Sequence, residues 1–334
     1  MTTPVQHEIT SDEVSLYDRQ IRVWGVEAQN RLRNSHVLIV NITAAHCEVA
    51  KNIVLAGIGS LTLLDDSVLE ENEDISSHFM LNSSDVGKNK ADAVVPRIAE
   101  LNPNVQVCAI SGNISSSPPS FFDDFTVISV AGCGLSAIKS LERICSSSAN
   151  GAALFLCGTI NFNAFFFSFL HHHTFVMTEP GTNGASDVHK DVSVDYPTFS
   201  ELFSAHFKDV SSGFGPRLKS SAQQFICIRL MFEFEEKFGR WPDLADMEVF
   251  VEFQRSMKSQ GLDSLTLPDN VVQETLSCWR QEFAPSTAII GGILGQEILK
   301  TISRKDAPLQ NVTIFSGWEG SAINIRIPAQ KPSE

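Results

Sequence analysis

The sequence predicts an α/β protein built on a doubly wound, mostly parallel sheet, with antiparallel edge strands and a helical layer. Three observations carry that prediction. Val37 to Val40 (VLIV) and Leu61 to Asp65 are short, almost continuous apolar runs, the pattern of parallel strands buried on both faces. Between them Ala50 to Gly57 (AKNIVLAG) reads as the end of a helix, which completes a strand–helix–strand unit. The alternation then continues through strands at Val105 to Ile110, Val127 to Val130 and Ala153 to Cys157.

Taken in order, Ser11-Asp12-Glu13 offers an N-cap and an acidic first turn to a helix that runs through Tyr17 and Ile21 to Trp24 and stops at Gly25. Tyr17, Ile21 and Trp24 share an apolar face, whereas Arg19 and Arg22 look in another direction. A second short helix, Val26 to Arg33, precedes the first strand, which begins at His36. A nucleotide-binding unit turns from strand to helix through glycines, because only a residue without Cβ lets phosphates reach the backbone N–H groups. Here the turn reads Asn41-Ile42-Thr43-Ala44-Ala45-His46, so the scaffold of a nucleotide site is present and its phosphate cradle is not.

The acidic stretch Asp66 to Ser84 is a long irregular loop, of a length that usually has a functional reason, and its tip is expected to be mobile. A helix from Lys88 to Leu101 contains Pro96, a predicted kink. Pro118 to Phe125 covers the next crossover, and Leu135 to Ser146 forms the helix before the strand at Ala153. The aromatic segment Phe162 to Val176 predicts antiparallel strands added to the sheet. Thr178 to Ser221 changes composition and reads as an insertion or small subdomain.

Ala222 to Phe238, Asp243 to Lys258 and Asp269 to Arg280 carry helical periodicity. In the last long helix, Pro285 to Ser303, Gly291, Gly292 and Gly295 imply close packing, either on the chain's own sheet or on a homologous partner. Val312 to Ser316 and Ala322 to Ile327 close the chain as a hairpin. The expected organisation is a Rossmann-like degenerate nucleotide-fold region over 1–177, an insertion over 178–221, and over 222–334 a helical layer and strands that complete the same domain.

A formal charge of −14 over 334 residues leaves no basic footprint for nucleic acid. The first residues lack a secretory pattern and no apolar run is long enough to span a bilayer, so a soluble, intracellular protein is expected. Seven cysteines without a CxxC pair predict buried, reduced thiols and no structural zinc. In His171-His172-His173 a strand would set His171 and His173 on one side, yet no acidic or cysteine ligand follows nearby; no metal site is expected, and a half-exposed sheet edge accounts for the run.

Three segments, YDRQIRVWG at 17–25, AKNIVLAGIGSLTLLDD at 50–66, and AP at 284–285 with GGILGQEILK at 291–300, together resemble the ubiquitin-activating enzyme family, which includes bacterial MoeB and ThiF. The resemblance covers nearly the whole chain apart from 178–221. Within that family the length and the missing cysteine domain are most similar to the smaller, regulatory subunits of the heterodimeric SUMO-activating enzymes. It implies a MoeB/ThiF-like adenylation fold, here an inactive half, and participation in the Mg-ATP-dependent adenylation of the C-terminal glycine of a ubiquitin-like modifier. The implied partner is a larger catalytic subunit that binds Mg-ATP and carries the thioester cysteine, with a SUMO-type modifier engaged through the complex. No cofactor is expected on this chain. The implied location is nuclear and cytoplasmic, although no basic import cluster is present.

The family's glycines fall at Asn41, Ala44 and His46, with His46 the largest obstruction, and Ser77 stands where a phosphate-clamping arginine is expected. Asp65 and Lys90 keep the positions of the family's ribose acid and nucleotide lysine, but Asp65 also ends a strand and Lys90 also suits a helix surface. The family arginine that reaches into the partner's nucleotide site matches Arg19, the one catalytic residue the resemblance assigns. Its chemistry suits that role, since a planar, permanently charged guanidinium stabilises charge building on a pyrophosphate leaving group. Rival readings are the equivalent subunit of another modifier pathway such as neddylation, a nicotinamide-dependent oxidoreductase with an eroded fingerprint, and a scaffold without chemistry.

Overall fold

The computed structural model describes residues 9–148, 151–179, 188–205, 216–257 and 267–329. β1 (His36–Val40), β2 (Ser60–Leu64), β3 (Gln106–Ile110), β4 (Val127–Ala131) and β5 (Ala153–Ile160) are parallel and lie side by side as β3-β2-β1-β4-β5. β6 (Asn163–Phe169) continues the sheet antiparallel to β5 and is followed outward by β9 (Val312–Ser316) and β10 (Ser321–Ile325). The strand order reverses direction between β1 and β4, which is where sheets of this kind place their ligand crevice.

Successive strand residues point to opposite faces, and each face has its own helices. Val37 and Ile39 pack with α4 (Ala44–Leu55), α5 (Lys90–Ala99) and α11 (Ala284–Ser303). Leu38 and Val40 pack on the other side with α6 (Leu135–Ser147), α7 (Phe199–Ser204), α8 (Pro216–Phe238), α9 (Met247–Ser256) and α10 (Asp269–Cys278). Both faces are therefore apolar, which explains why the strands read as continuous hydrophobic runs. The expected fold class is the observed one.

Some details differ from the sequence reading. The first helix is capped by Thr10, not Ser11, in a reciprocal capping box with Glu13. It then breaks at Tyr17 into α1 (Ser11–Leu16) and α2 (Asp18–Trp24), because Tyr17 leaves helical geometry to drop its ring onto Gly57. The segment after β6 does not join the sheet. β6 already pairs with β9 on its outer side, and His171, at φ 51, turns the chain away, so β7 (His172–Glu179) pairs with β8 (Val188–Asp195) in a separate ribbon. His171 precedes that strand, so the His171–His173 pairing on one strand face is not formed. His172 instead contacts Asp195 at 2.6 Å, and His173 is buried.

The range 178–221 holds the end of β7, β8, α7 and the start of α8, while 180–187 and 206–215 lie outside the described residues. The last residue of the helix expected to end at Lys258 lies outside them as well. Among the described residues, no helix is long and apolar enough to cross a membrane.

Candidate functional site

At the carboxyl end of β1 the chain turns directly into α4 through Asn41-Ile42-Thr43, with no glycine in the turn. Asn41 sits at φ 64, a left-handed conformation that asparagine tolerates better than other side chains. Its Nδ2 donates to the Ala131 carbonyl at 2.6 Å, bridging β1 to β4 across the point where the strand order reverses. Ile42 N–H donates to Asp65 Oδ2 at 2.6 Å, and Asp65 Oδ1 accepts from the backbone N–H and hydroxyl of Ser67. One Asp65 oxygen thus holds the turn and the other holds the start of the acidic loop. Lys90 is paired with Glu73 across the acidic loop.

His46 is not an obstruction at the mouth of the crevice. Its ring is turned into the core, where Nδ1 meets the Asn41 carbonyl at 2.6 Å and Nε2 meets the Ser129 hydroxyl at 3.0 Å, with Cys157 Sγ at 3.3 Å. Burial lowers its pKa against the opposing pull of the Asn41 carbonyl, so it is held neutral.

What fills the cradle is Glu282, a residue the sequence reading did not single out. Its carboxylate accepts from Ala44 N–H at 2.8 Å and 3.0 Å, one bond to each oxygen, and from Ala45 N–H at 3.4 Å. The next N–H, of His46, goes to the Thr43 hydroxyl at 3.1 Å, and that of Cys47 to the Thr43 carbonyl at 2.9 Å. Every N–H in the first turn of α4 therefore has a protein partner, and these are the groups that hold a phosphate at such a helix start. His78 Nε2 lies 3.1 Å from Glu282 Oε2, and Ser77, at the position of the expected clamping arginine, donates its hydroxyl to the Glu282 carbonyl at 3.0 Å. Burial pushes the Glu282 carboxyl up, but His78 and the Ala44 and Ala45 N–H groups outweigh it and leave the group below the usual range. Beside this turn, the space bounded by Gly132, Cys157, Phe165, Trp279 and Arg280 amounts to about 20 Å³, the size of a single water.

Gly291 explains how α11 comes close enough. A Cβ there would lie 2.6 Å from Glu48 Cβ and 2.7 Å from the Ala45 carbonyl oxygen, and one at Gly295 would lie 3.1 Å from Asn52 Cβ. Both glycines face α4 of the same chain. Gly292 faces open space.

Arg19 is exposed on α2 and has no hydrogen-bond or ion-pair partner among the described residues, whereas Arg22 pairs with Asp18 at 2.9 Å. The helix that carries it is fixed to the far end of α4. The Tyr17 ring covers Gly57, Asn102 Nδ2 donates to the Tyr17 hydroxyl at 2.7 Å, and Gln20 Nε2 donates to the Leu55 carbonyl at 3.3 Å. Gln29 adds a bond to the Ala56 carbonyl at 2.9 Å while accepting from Trp24 at the same distance. With 12 residues, α4 is about 18 Å long, so α2 is anchored one helix length from the closed turn.

The family model for the ThiF family matches residues 17–334. The chain belongs to the ThiF family. Among full-length relatives, SUMO-activating enzyme subunit 1 of Homo sapiens is 31% identical over 332 residues, covering 94% of this chain and 95% of the relative. The Rattus norvegicus protein of the same name is 31% identical with 94% of each chain covered. SUMO-activating enzyme subunit 1B-1 of Arabidopsis thaliana is 32% identical over 95% of this chain and 96% of its own length. A crystal structure of PaaA superposes with a TM-score of 0.57 over 97% of this chain and 84% of that one, at 18% identity, which supports the ThiF-type fold.

Proposed function

We propose that this ThiF-family chain is the smaller, non-catalytic subunit of a heterodimeric SUMO-activating enzyme and supplies Arg19 to the nucleotide site of a larger catalytic partner. The supporting observation is that Arg19 is exposed and, among the described residues, unpaired, while the helix bearing it is pinned at the opposite end of α4 from the chain's own turn. An arginine side chain spans far less than that helix length, so Arg19 does not reach the chain's own turn. In the partner, attack of the modifier's terminal carboxylate on the ATP α-phosphate breaks the bond to pyrophosphate, and a guanidinium beside the departing group stabilises the charge that builds there. Mg-ATP and the thioester cysteine belong to the partner in this reading. This chain alone has no activity, and the assembled enzyme works in the nucleus and cytoplasm.

The test is ATP–pyrophosphate exchange with the reconstituted pair. Arg19→Ala should abolish most exchange while the two chains still co-elute, and normal exchange by that pair would remove the arginine's role. Exchange with a NEDD-type modifier in place of SUMO would assign the subunit to the other pathway.

A further inference from the structure

We propose that Glu282 is a resident anion: its carboxylate takes the place of a phosphate at the start of α4 and keeps the chain's own crevice closed without any nucleotide. The contact is autoinhibitory in the sense that the N–H groups are intact and oriented, and a tethered acid occupies them. The Ala44 N–H is shared between the two carboxylate oxygens, at 2.8 Å, within the charge-assisted range, and at 3.0 Å, an ordinary N–H···O length. The acid is delivered from distant sequence, since Glu282 lies 238 residues from Ala44. It is held from the other side by His78 and Ser77 of the acidic loop, and the close approach at Gly291 brings its segment down onto α4. Three parts of the chain are thereby locked together at a helix start of the kind that binds phosphate.

The glycine losses alone do not close the site. Asn41 preserves the left-handed backbone, Ala44 N–H still points outward, and the His46 ring is withdrawn into the core. Removing the Glu282 carboxylate would therefore uncover a helix start able to hold a phosphate-class oxyanion. This inference concerns the chain's own turn and does not depend on Arg19 acting in a partner, because its readouts need no adenylation.

Amide hydrogen exchange at Ala44 and Ala45 in the full-length chain tests it, with inorganic phosphate as the probe and chloride at matched ionic strength as control. In the wild type both amides should exchange slowly, with or without phosphate. In Glu282→Ala they should exchange about tenfold faster or more and regain protection only with phosphate. Should that variant fail to fold cooperatively, Glu282→Gln, which keeps the shape and one acceptor, should show the same phosphate-dependent protection to a smaller degree. Wild-type amides that respond to phosphate as the variants do, or variant amides that stay fast at saturating phosphate, would overturn the proposal.

Discussion

The side-chain amide of Asn41 donates to the carbonyl of Ala131 at 2.6 Å, so the ends of β1 and β4 are joined by a side chain at the point where the sheet changes winding direction. The same residue holds a backbone angle of φ 64. Its two duties separate by substitution. Asn41→Gly should keep the angle and lose the bridge, costing about 1 kcal/mol, while Asn41→Ala loses both and should cost about 2–3 kcal/mol. Urea unfolding of the three proteins checks the order, and an alanine variant as stable as glycine would show that the backbone angle carries no strain.

The glycines of α11 should respond oppositely to the same change. At Gly291 a methyl group meets the Ala45 carbonyl, part of a backbone that cannot move aside cheaply, and Gly291→Ala should destabilise by about 1–3 kcal/mol. At Gly292 nothing stands in the way, and Gly292→Ala should stabilise the chain by roughly 0.5–1 kcal/mol through helix propensity. Chemical denaturation reads both.

Acidification should weaken the fold in two stages. Burial lowers the pKa of His46 and, with help from Arg304 and His172, that of His173 to about 4. The unfolded chain binds these protons near pH 6.5 and the folded chain does not, so stability is full above that pH and falls below it. Each histidine adds a slope of up to roughly 1.4 kcal/mol per pH unit, and His173 stops contributing near pH 4. Glu282, whose carboxyl is depressed, keeps its contribution above the usual glutamate range of about 4.3 and loses it lower down. Urea midpoints from pH 7 to pH 3.5 should trace this curve, and His173→Phe should flatten its upper part.

Arg19 and Arg22 make a matched pair for the reconstituted enzyme. Arg19→Ala should lower pyrophosphate exchange by about a thousandfold or more, the lower end of what an arginine delivered by a partner contributes in nucleotide hydrolysis. Arg19→Lys should recover part, since charge returns without the planar fork. Arg22→Ala removes only a surface pair and should leave the rate within about twofold.

Much of this was legible in the sequence because it rests on local pattern. The strands from β1 to β5 are buried on both faces and announce themselves as apolar runs, and the altered turn at 41–46 is visible as missing glycines. The direction of a side chain is not written locally. His46 looks obstructive in the sequence but withdraws, because Ser129 and Cys157 on neighbouring strands give its ring polar company inside the core. Glu282 gives no signal beyond being an acid just ahead of a helix, since its partners are set by the packing of α11 on α4. The β7–β8 ribbon was likewise hidden, because whether it joins the sheet depends on β9, far along the chain, having taken the free edge of β6.

The anchoring of α2 at one end of α4 and of Glu282 at the other makes that helix a spacer between two independent fates. Substitutions at its beginning can accumulate, sealing the turn a little more each time, without shifting the platform that presents Arg19. Changes at the one end are therefore separated from the other by the full length of a rigid helix.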